Sequence, residues 1–326
     1  MKIVVFVRDS VTKGDLVYSC LDSVAEVTYY GHMPEGDVSG LIGDADGVIV
    51  NRTPITASVI KSCKNLKYVG TFATGYNNID IETAKERGVT VCNVPAYSTD
   101  GVAQLTISFI LYTATSLGNY INSVNAGDWK KTKNFCYYPY FITELAGKTL
   151  GIIVFGSIGK RVAEIAKALK MNVIVHSRTK KEGEFEFTSL ENLLRRSDFV
   201  SLHLPLTKQS ENLINEKTLS FMKTSAVLIN TARGGLIDEN ALAKALKSGK
   251  IRASCHDVIG YEPMREDCPL FGIENCFITP HVAWAGKETR QRLVDIAGEN
   301  VKKFIEGNEI VKVIVVPKKL VNIVIK

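Results

Sequence analysis

Several features are missing from this 326-residue chain, and each absence removes a class of protein. No apolar run reaches the length that crosses a bilayer, so no membrane partner is expected. The N-terminal stretch from Met1 to Val7 is too short for a signal peptide and is followed by charge, so it reads as a first buried strand. The seven cysteines are scattered, odd in number and never at paired metal-ligand spacing. That pattern predicts reduced packing residues in a cytoplasmic protein, with no metal site. No stripe of alternating basic and aromatic residues is present, so nucleic acid is not an expected partner. The net charge of +6 is spread along the chain and hints only at an anionic ligand. Internal repeats and low-complexity segments are lacking as well.

What is present is a globular composition, 45% hydrophobic and 23% charged, at a length that supports two domains with full cores. From Lys2 to Tyr97, short apolar runs (Gly47 to Val50, Leu66 to Thr71, Val89 to Cys92) alternate with helical stretches, the pattern of a parallel sheet. Apolar residues at helical spacing from Ser98 to Gly118 predict a long helix between domains. The aromatic stretch from Asn119 to Phe141, with Trp129, Phe135, Tyr137, Tyr138 and Tyr140, reads mainly as a packed connector. A second strand-helix alternation begins at Leu150 and predicts five or six strands, the number and order of a dinucleotide-binding fold. A last amphipathic helix runs from Gly286 to Glu306, and the tail after it is expected to return to the first domain. The fold class is therefore α/β.

A dinucleotide turn needs glycines where the backbone bends, approaches the pyrophosphate and packs helix on strand. Here the G-x-G-x-x-G pattern would span residues 154–159, with Val154 in the first glycine position and Gly156 and Gly159 in the second and third. At the end of the next strand the chain reads His176-Ser177-Arg178-Thr179-Lys180-Lys181. An acid that would bond adenosine ribose hydroxyls is absent, and basic side chains stand ready for a 2′-phosphate, so NADP(H) is favoured over NAD(H). A solvated basic loop is the simpler alternative.

Three later strand ends carry chemistry. Arg233 follows the buried run Ala226 to Ile229 and precedes Gly234, Gly235 and a helix that Asp238 caps. Ligands of open α/β sheets bind at that edge, and a guanidinium fork suits a carboxylate-bearing substrate. Taken alone, Arg233 reads more simply as a surface arginine paired with a helix acid. Glu262 and His281 lie after the next two strands; a histidine can protonate a carbonyl oxygen near neutral pH, and a neighbouring carboxylate stabilises its charged form. An earlier strand end, Ala73-Thr74-Gly75-Tyr76, offers backbone N–H groups to an anion, or is a plain glycine turn.

With these motifs in order, the chain resembles the D-isomer-specific 2-hydroxyacid dehydrogenase family up to about residue 306. The resemblance is carried by Ala73 to Asp80, Asn93 to Tyr97 with Val102-Ala103-Gln104, Phe155 to Gly159, His203 to Thr207, Asn230 to Asp238, Glu262-Pro263 and Pro280-His281. Pro95-Ala96-Tyr97, Val102-Ala103-Gln104 and His281 to Trp284 look most like the glycerate dehydrogenases, also called hydroxypyruvate reductases.

The resemblance implies two Rossmann-like domains: a discontinuous substrate domain, residues 1–98 and 286–326, and an inserted NAD(P)-binding domain, residues 99–285. It implies that Arg233 holds the substrate carboxylate and carbonyl, that His281 is the proton donor or acceptor, and that Glu262 orients His281. The backbone of Thr74 and Gly75 would bind the carboxylate, and Trp284 would shape the pocket. Gly156, Ser157, Ile158 and Gly159 would lie along the pyrophosphate, with Ser177, Arg178 and Lys180 at the adenosine end. Pro205 and Thr207 would sit beside the ribose, Thr231 and Ala232 near the nicotinamide, and Asp257 at its carboxamide. The implied reaction is reduction of a small 2-keto acid to its 2-hydroxy acid, first of all hydroxypyruvate to D-glycerate, with glyoxylate as a side substrate. D-lactate, 3-phosphoglycerate and a non-catalytic dinucleotide-sensing scaffold are the alternatives. A homodimer through the cofactor domain, with the aromatic stretch as its arm, is also implied. Against the family pattern stand Val154, Ser177 and a tail without the usual Pro-x-Asn ending.

Overall fold

The structure, a computed structural model, describes residues 1–6, 8–32, 36–178 and 184–307. Lys180 and the tail beyond Gly307, for which the sequence raised expectations, lie outside the described residues. The chain divides into two compact units, Met1–Ser98 with Trp284–Lys326, and Thr99–Ala283.

Among the described residues the first unit holds five strands, β1 (Lys2–Val5), β2 (Glu26–Tyr29), β3 (Gly47–Val50), β4 (Tyr68–Thr71) and β5 (Thr90–Cys92). They form one parallel sheet in the order β2-β1-β3-β4-β5. The central strands β3 and β4 are buried on both faces and read as near-continuous apolar runs, whereas edge strand β2 leaves Glu26 and Thr28 exposed. Side chains alternate: Ile3, Val5 and Ile49 enter one cluster, and Val4, Phe6, Val48 and Val50 the other. The helix Lys287–Ile305 covers the first cluster with Leu293, Val294, Ala297 and Val301. At the carboxyl edge, Thr74 Oγ1 donates to the Val94 carbonyl at 2.9 Å, and Asn93 Nδ2 donates to the Thr74 carbonyl at 2.7 Å. Those two bonds tie the Thr74–Gly75 turn to the end of β5.

Among the described residues the second unit holds seven strands: β6 (Thr149–Ile153), β7 (Asn172–His176), β8 (Glu186–Phe187), β9 (Phe199–Leu202), β10 (Val227–Asn230), β11 (Ala253–His256) and β12 (Cys276–Ile278). All pair in parallel, in the order β12-β11-β10-β9-β6-β7-β8. The order reverses direction between β6 and β9, the crevice where doubly wound sheets bind ligands. Leu150, Ile152, Phe199, Val227 and Ile229 fill one face, and Ile153, Val200, Leu202 and Leu228 the other. Each such side chain, fully buried, is worth about 1.5–3 kcal/mol, so register in the centre of this sheet is strongly specified.

The helix expected from Ser98 to Gly118 runs Thr99–Thr115, packing Ala103, Ile107 and Ile110 on the sheet. It stops at Ser116, whose left-handed backbone (φ 49°) breaks the hydrogen-bond ladder. A second helix, Leu117–Asn125, occupies the start of this aromatic stretch. The stretch is a packed connector only in part: Tyr140 meets Tyr120 edge-on with ring centroids 5.1 Å apart, Tyr137 reaches the Ser123 hydroxyl, and the Arg252 guanidinium stands over the Phe141 ring. Phe135, 90% exposed, and Tyr138, 78% exposed, face solvent. Among the described residues no single helix is long and apolar enough to cross a membrane. All seven cysteines are free thiols.

Candidate active site

The turn after β6 leads into the helix Ser157–Ala168. Gly156 is its N-cap and supplies no side-chain cap, so the first N–H groups of the helix are left for a ligand. A methyl group on Gly156 would meet nothing within 4 Å, and Gly156 and Ser157 are exposed, so the helix end is open. A methyl group on Gly159 would lie 2.7 Å from the Val154 carbonyl oxygen; only glycine lets the helix pack this tightly on the strand end. This chain therefore fits a dinucleotide pyrophosphate at the second and third glycine positions.

Val154 occupies the first position with φ 71°, a left-handed backbone that glycine adopts freely and a β-branched residue does not. The strain costs about 1–2 kcal/mol. An ordinary half-buried valine loses roughly 2 kcal/mol on replacement by glycine, from lost burial and added chain entropy. The two effects nearly cancel here, so Val154→Gly is expected to change unfolding free energy by under about 1 kcal/mol. A loss of 2 kcal/mol or more in urea unfolding would show that no strain is stored.

At the end of β7, Ser177 is half-buried and Arg178 exposed. His176 Nδ1 is 3.1 Å from the Thr188 carbonyl, which ties β7 to the chain after β8. After β9, the loop with Pro205 and Thr207 is closed by Ser210. Its buried hydroxyl donates to the Pro205 carbonyl (2.8 Å) and accepts from the Thr207 N–H (2.8 Å). Sequence reasoning passed over Ser210, although Thr207-x-x-Ser210 is a legible side-chain-to-backbone turn pattern.

Arg233, Glu262 and His281 follow β10, β11 and β12, three adjacent strands of one sheet. Asn230, fully buried at the end of β10, accepts from the Ala232 N–H at 3.0 Å and donates to the Arg233 carbonyl at 2.9 Å. It folds the chain so that Arg233 stands exposed, its guanidinium donating at 2.7 Å to the Ala232 carbonyl. Glu239, an acid in the first turn of the helix that follows, accepts from the Gly260 N–H at 2.7 Å. Gly234 presses on the neighbouring loop: a methyl group there would lie 1.9 Å from the Ile259 carbonyl carbon and 2.4 Å from the Gly260 nitrogen.

That contact seats the Arg233 loop beside the loop carrying Glu262. Glu262 accepts from the Ile259 N–H at 3.3 Å and meets His281 Nδ1 at 2.7 Å, a charge-assisted distance. Both partners are half-buried, with side chains 22% and 31% exposed. His281 has φ 55°, a strained backbone for a non-glycine residue. Asp257 sustains it. This buried carboxylate accepts from the Val282 and Ala283 N–H groups, both at 2.8 Å, and from Thr279 Oγ1 at 2.6 Å. The peptides that follow His281 are thereby fixed, and three acceptor sites of Asp257 are committed to this loop.

Beside Asp257, His256 is 1% exposed and its Nε2 has no hydrogen-bond partner among the described residues. Burial pushes its pKa down to about 4. The unfolded chain binds this proton near the ordinary value of about 6.5. The folded state is therefore unpenalised above pH 6.5 and loses stability as pH falls through the window from 6.5 to 4, by about 3 kcal/mol in all. Buried His203, its pKa likewise pushed down to about 4, adds to the slope over the same window, so urea unfolding of His256→Leu is expected to show a shallower slope and not a flat one; an unchanged slope would assign it to other groups.

A doubly wound parallel sheet with an open glycine turn at a helix N-terminus, and an Arg, Glu and His at adjacent strand ends, defines a nicotinamide-dependent oxidoreductase. Residues 107–283 match the family model described as "D-isomer specific 2-hydroxyacid dehydrogenase, NAD binding domain". The chain belongs to the D-isomer-specific 2-hydroxyacid dehydrogenase family. It is 39% identical over 317 residues to a hydroxypyruvate reductase of Blautia hydrogenotrophica, covering 95% of this chain and 98% of the relative. It is 41% identical over 276 residues to a glycerate dehydrogenase of Methylorubrum extorquens, covering 84% and 87%. Among solved structures, an acyclic imino acid reductase in complex with NADPH and D-arginine superposes with a TM-score of 0.83 at 30% identity, covering 94% of this chain and 98% of that one.

Proposed function

We propose that this enzyme reduces hydroxypyruvate to D-glycerate, with glyoxylate as a side substrate. The observation that carries the reading is the His281–Glu262 pair at 2.7 Å, one strand away from an arginine with no acidic partner among the described residues. The names of the two relatives point to the same substrate pair.

The nicotinamide cofactor, when bound, supplies the hydride that reaches C2 of the keto acid. Arg233 holds the substrate carboxylate and carbonyl and stabilises the charge that develops on oxygen. His281 gives its proton to that oxygen, and Glu262, on Nδ1, keeps the opposite ring nitrogen turned to the substrate. The backbone of Thr74 and Gly75 takes the carboxylate, and Trp284 bounds the pocket. Gly156, Ser157, Ile158 and Gly159 receive the pyrophosphate, Pro205 and Thr207 the ribose, Thr231 and Ala232 the nicotinamide, and Asp257 its carboxamide.

NADP(H) is the favoured cofactor, because Ser177, Arg178 and Lys180 offer a hydroxyl and two cations where an acid would repel a 2′-phosphate. The exposed rings of Phe135 and Tyr138 support a homodimer formed by this unit in the cytoplasm, since such apolar surface is costly to leave in water. A monomer in sedimentation would refute the dimer.

The test is oxidation of NADH and NADPH, followed at the nicotinamide absorbance band, against hydroxypyruvate, glyoxylate, pyruvate and 3-phosphohydroxypyruvate. Highest kcat/KM with hydroxypyruvate and NADPH is expected. Preference for pyruvate or the phosphorylated acid would reassign the substrate, and preference for NADH would reassign the cofactor.

A further inference from the structure

One hydroxyl pair in the second unit joins Thr231 to a buried helix residue that has no assigned role. Thr106, fully buried in the helix Thr99–Thr115, stands 3.0 Å from Thr231, oxygen to oxygen. Thr231 is 8% exposed and opens the loop that carries Ala232 and Arg233. Thr106 Oγ1 also lies 2.8 Å from the Val102 carbonyl.

The protons of this pair can be assigned. A carbonyl oxygen only accepts, so the short contact to Val102 takes the single hydroxyl proton of Thr106. Thr106 is then the acceptor in its contact with Thr231, and Thr231 is the donor. The Thr231 hydroxyl has thus spent its only proton inside the protein and keeps its acceptor lone pairs, in a residue with a little surface still open. Toward a bound molecule it acts as an acceptor and not as a donor.

We infer that Thr106 is a positioning residue for the nicotinamide end of the cofactor: by taking the Thr231 proton it makes Thr231 Oγ1 an acceptor for the carboxamide N–H2. This rests on the placement of Thr231 near the nicotinamide proposed above. The helix bearing Thr106 is anchored in the sheet core by Ala103, Ile107 and Ile110, so the hydroxyl is held on a rigid element. Valine at 106 keeps the shape and removes the acceptor, freeing the Thr231 hydroxyl to rotate and to present its proton to the donor it should receive.

The test compares Thr106→Val, Thr106→Ser and Thr231→Val with the parent enzyme. Binding of the reduced cofactor is followed by fluorescence titration, beside its 3-acetylpyridine analogue, in which a methyl group replaces the carboxamide N–H2. Thermal unfolding of each variant checks that it is folded. Thr106→Val and Thr231→Val are expected to weaken binding of the natural cofactor about five- to tenfold, the size of one lost hydrogen bond. Thr106→Ser is expected to restore it. For the acetylpyridine analogue the parent and both valine variants should bind alike. Equal weakening for both cofactors, or failure of serine to rescue, would show a packing role and overturn the inference. A loss in Thr231→Val without one in Thr106→Val would overturn the inference alone. No change in Thr231→Val would overturn it together with the placement of Thr231, leaving the keto-acid reading to its own assay.

Discussion

His281→Ala is expected to lower kcat by roughly 10²–10⁴-fold, the usual contribution of a positioned general acid. In the folded chain His281 has its Nδ1 committed to Glu262 at 2.7 Å, which assigns the proposed proton transfer to its other ring nitrogen. Alanine removes that donor and leaves the glycine turn at the Ser157–Ala168 helix untouched. The cofactor dissociation constant should stay within a few-fold of the parent value while kcat falls. Glu262→Gln keeps the shape of the pair but removes the carboxylate charge beside Nδ1. Its kcat should fall less than that of His281→Ala, because the amide can still hold Nδ1 and orient the ring. Single-turnover rates give both results, and near-parental turnover in His281→Ala would remove His281 from the mechanism.

Gly234→Ala should damage activity and stability together. Its added methyl would lie 1.9 Å from the Ile259 carbonyl carbon, a distance that backbone atoms cannot yield without separating the two loops. Overpacking of this kind costs about 1–3 kcal/mol. The larger effect falls on catalysis: Arg233 sits one residue before the contact and Glu262 three residues after it, so relief of the clash moves one relative to the other. A displacement near 1 Å at a reacting centre costs on the order of 10²-fold. Steady-state kinetics and urea unfolding on the same preparation check both, and a variant with parental kcat/KM would show that the loops adjust independently.

The two effects have different origins. In the proposed mechanism His281 supplies a proton; Gly234 supplies an absence, the missing side chain that lets neighbouring loops meet. Sequence reasoning reaches the first easily, since a histidine at a strand end announces its chemistry. The second was visible only as part of the Arg233-Gly234-Gly235 string. Which of the two glycines is indispensable was not legible, because the atom it makes room for belongs to a segment some 25 residues on.

The same division runs through the rest of the molecule. Alternating apolar runs and helical spacings were enough to place parallel sheets, the glycine turn at 156–159, and the strand ends of Arg233, Glu262 and His281, because periodicity and turn chemistry are local properties of the chain. Identity of the residues at 154 and 177 likewise marked where this chain departs from its family. Tertiary structure alone decided what those residues do to one another. It put φ 71° on Val154, turned Glu239 to the Gly260 amide, and committed Asp257 to the loop behind His281. It also left Phe135 and Tyr138 in water where their composition suggested burial. Each of these depends on partners distant in sequence, whose approach is set by how the sheet stacks its strands, and a one-dimensional pattern carries no measure of that distance.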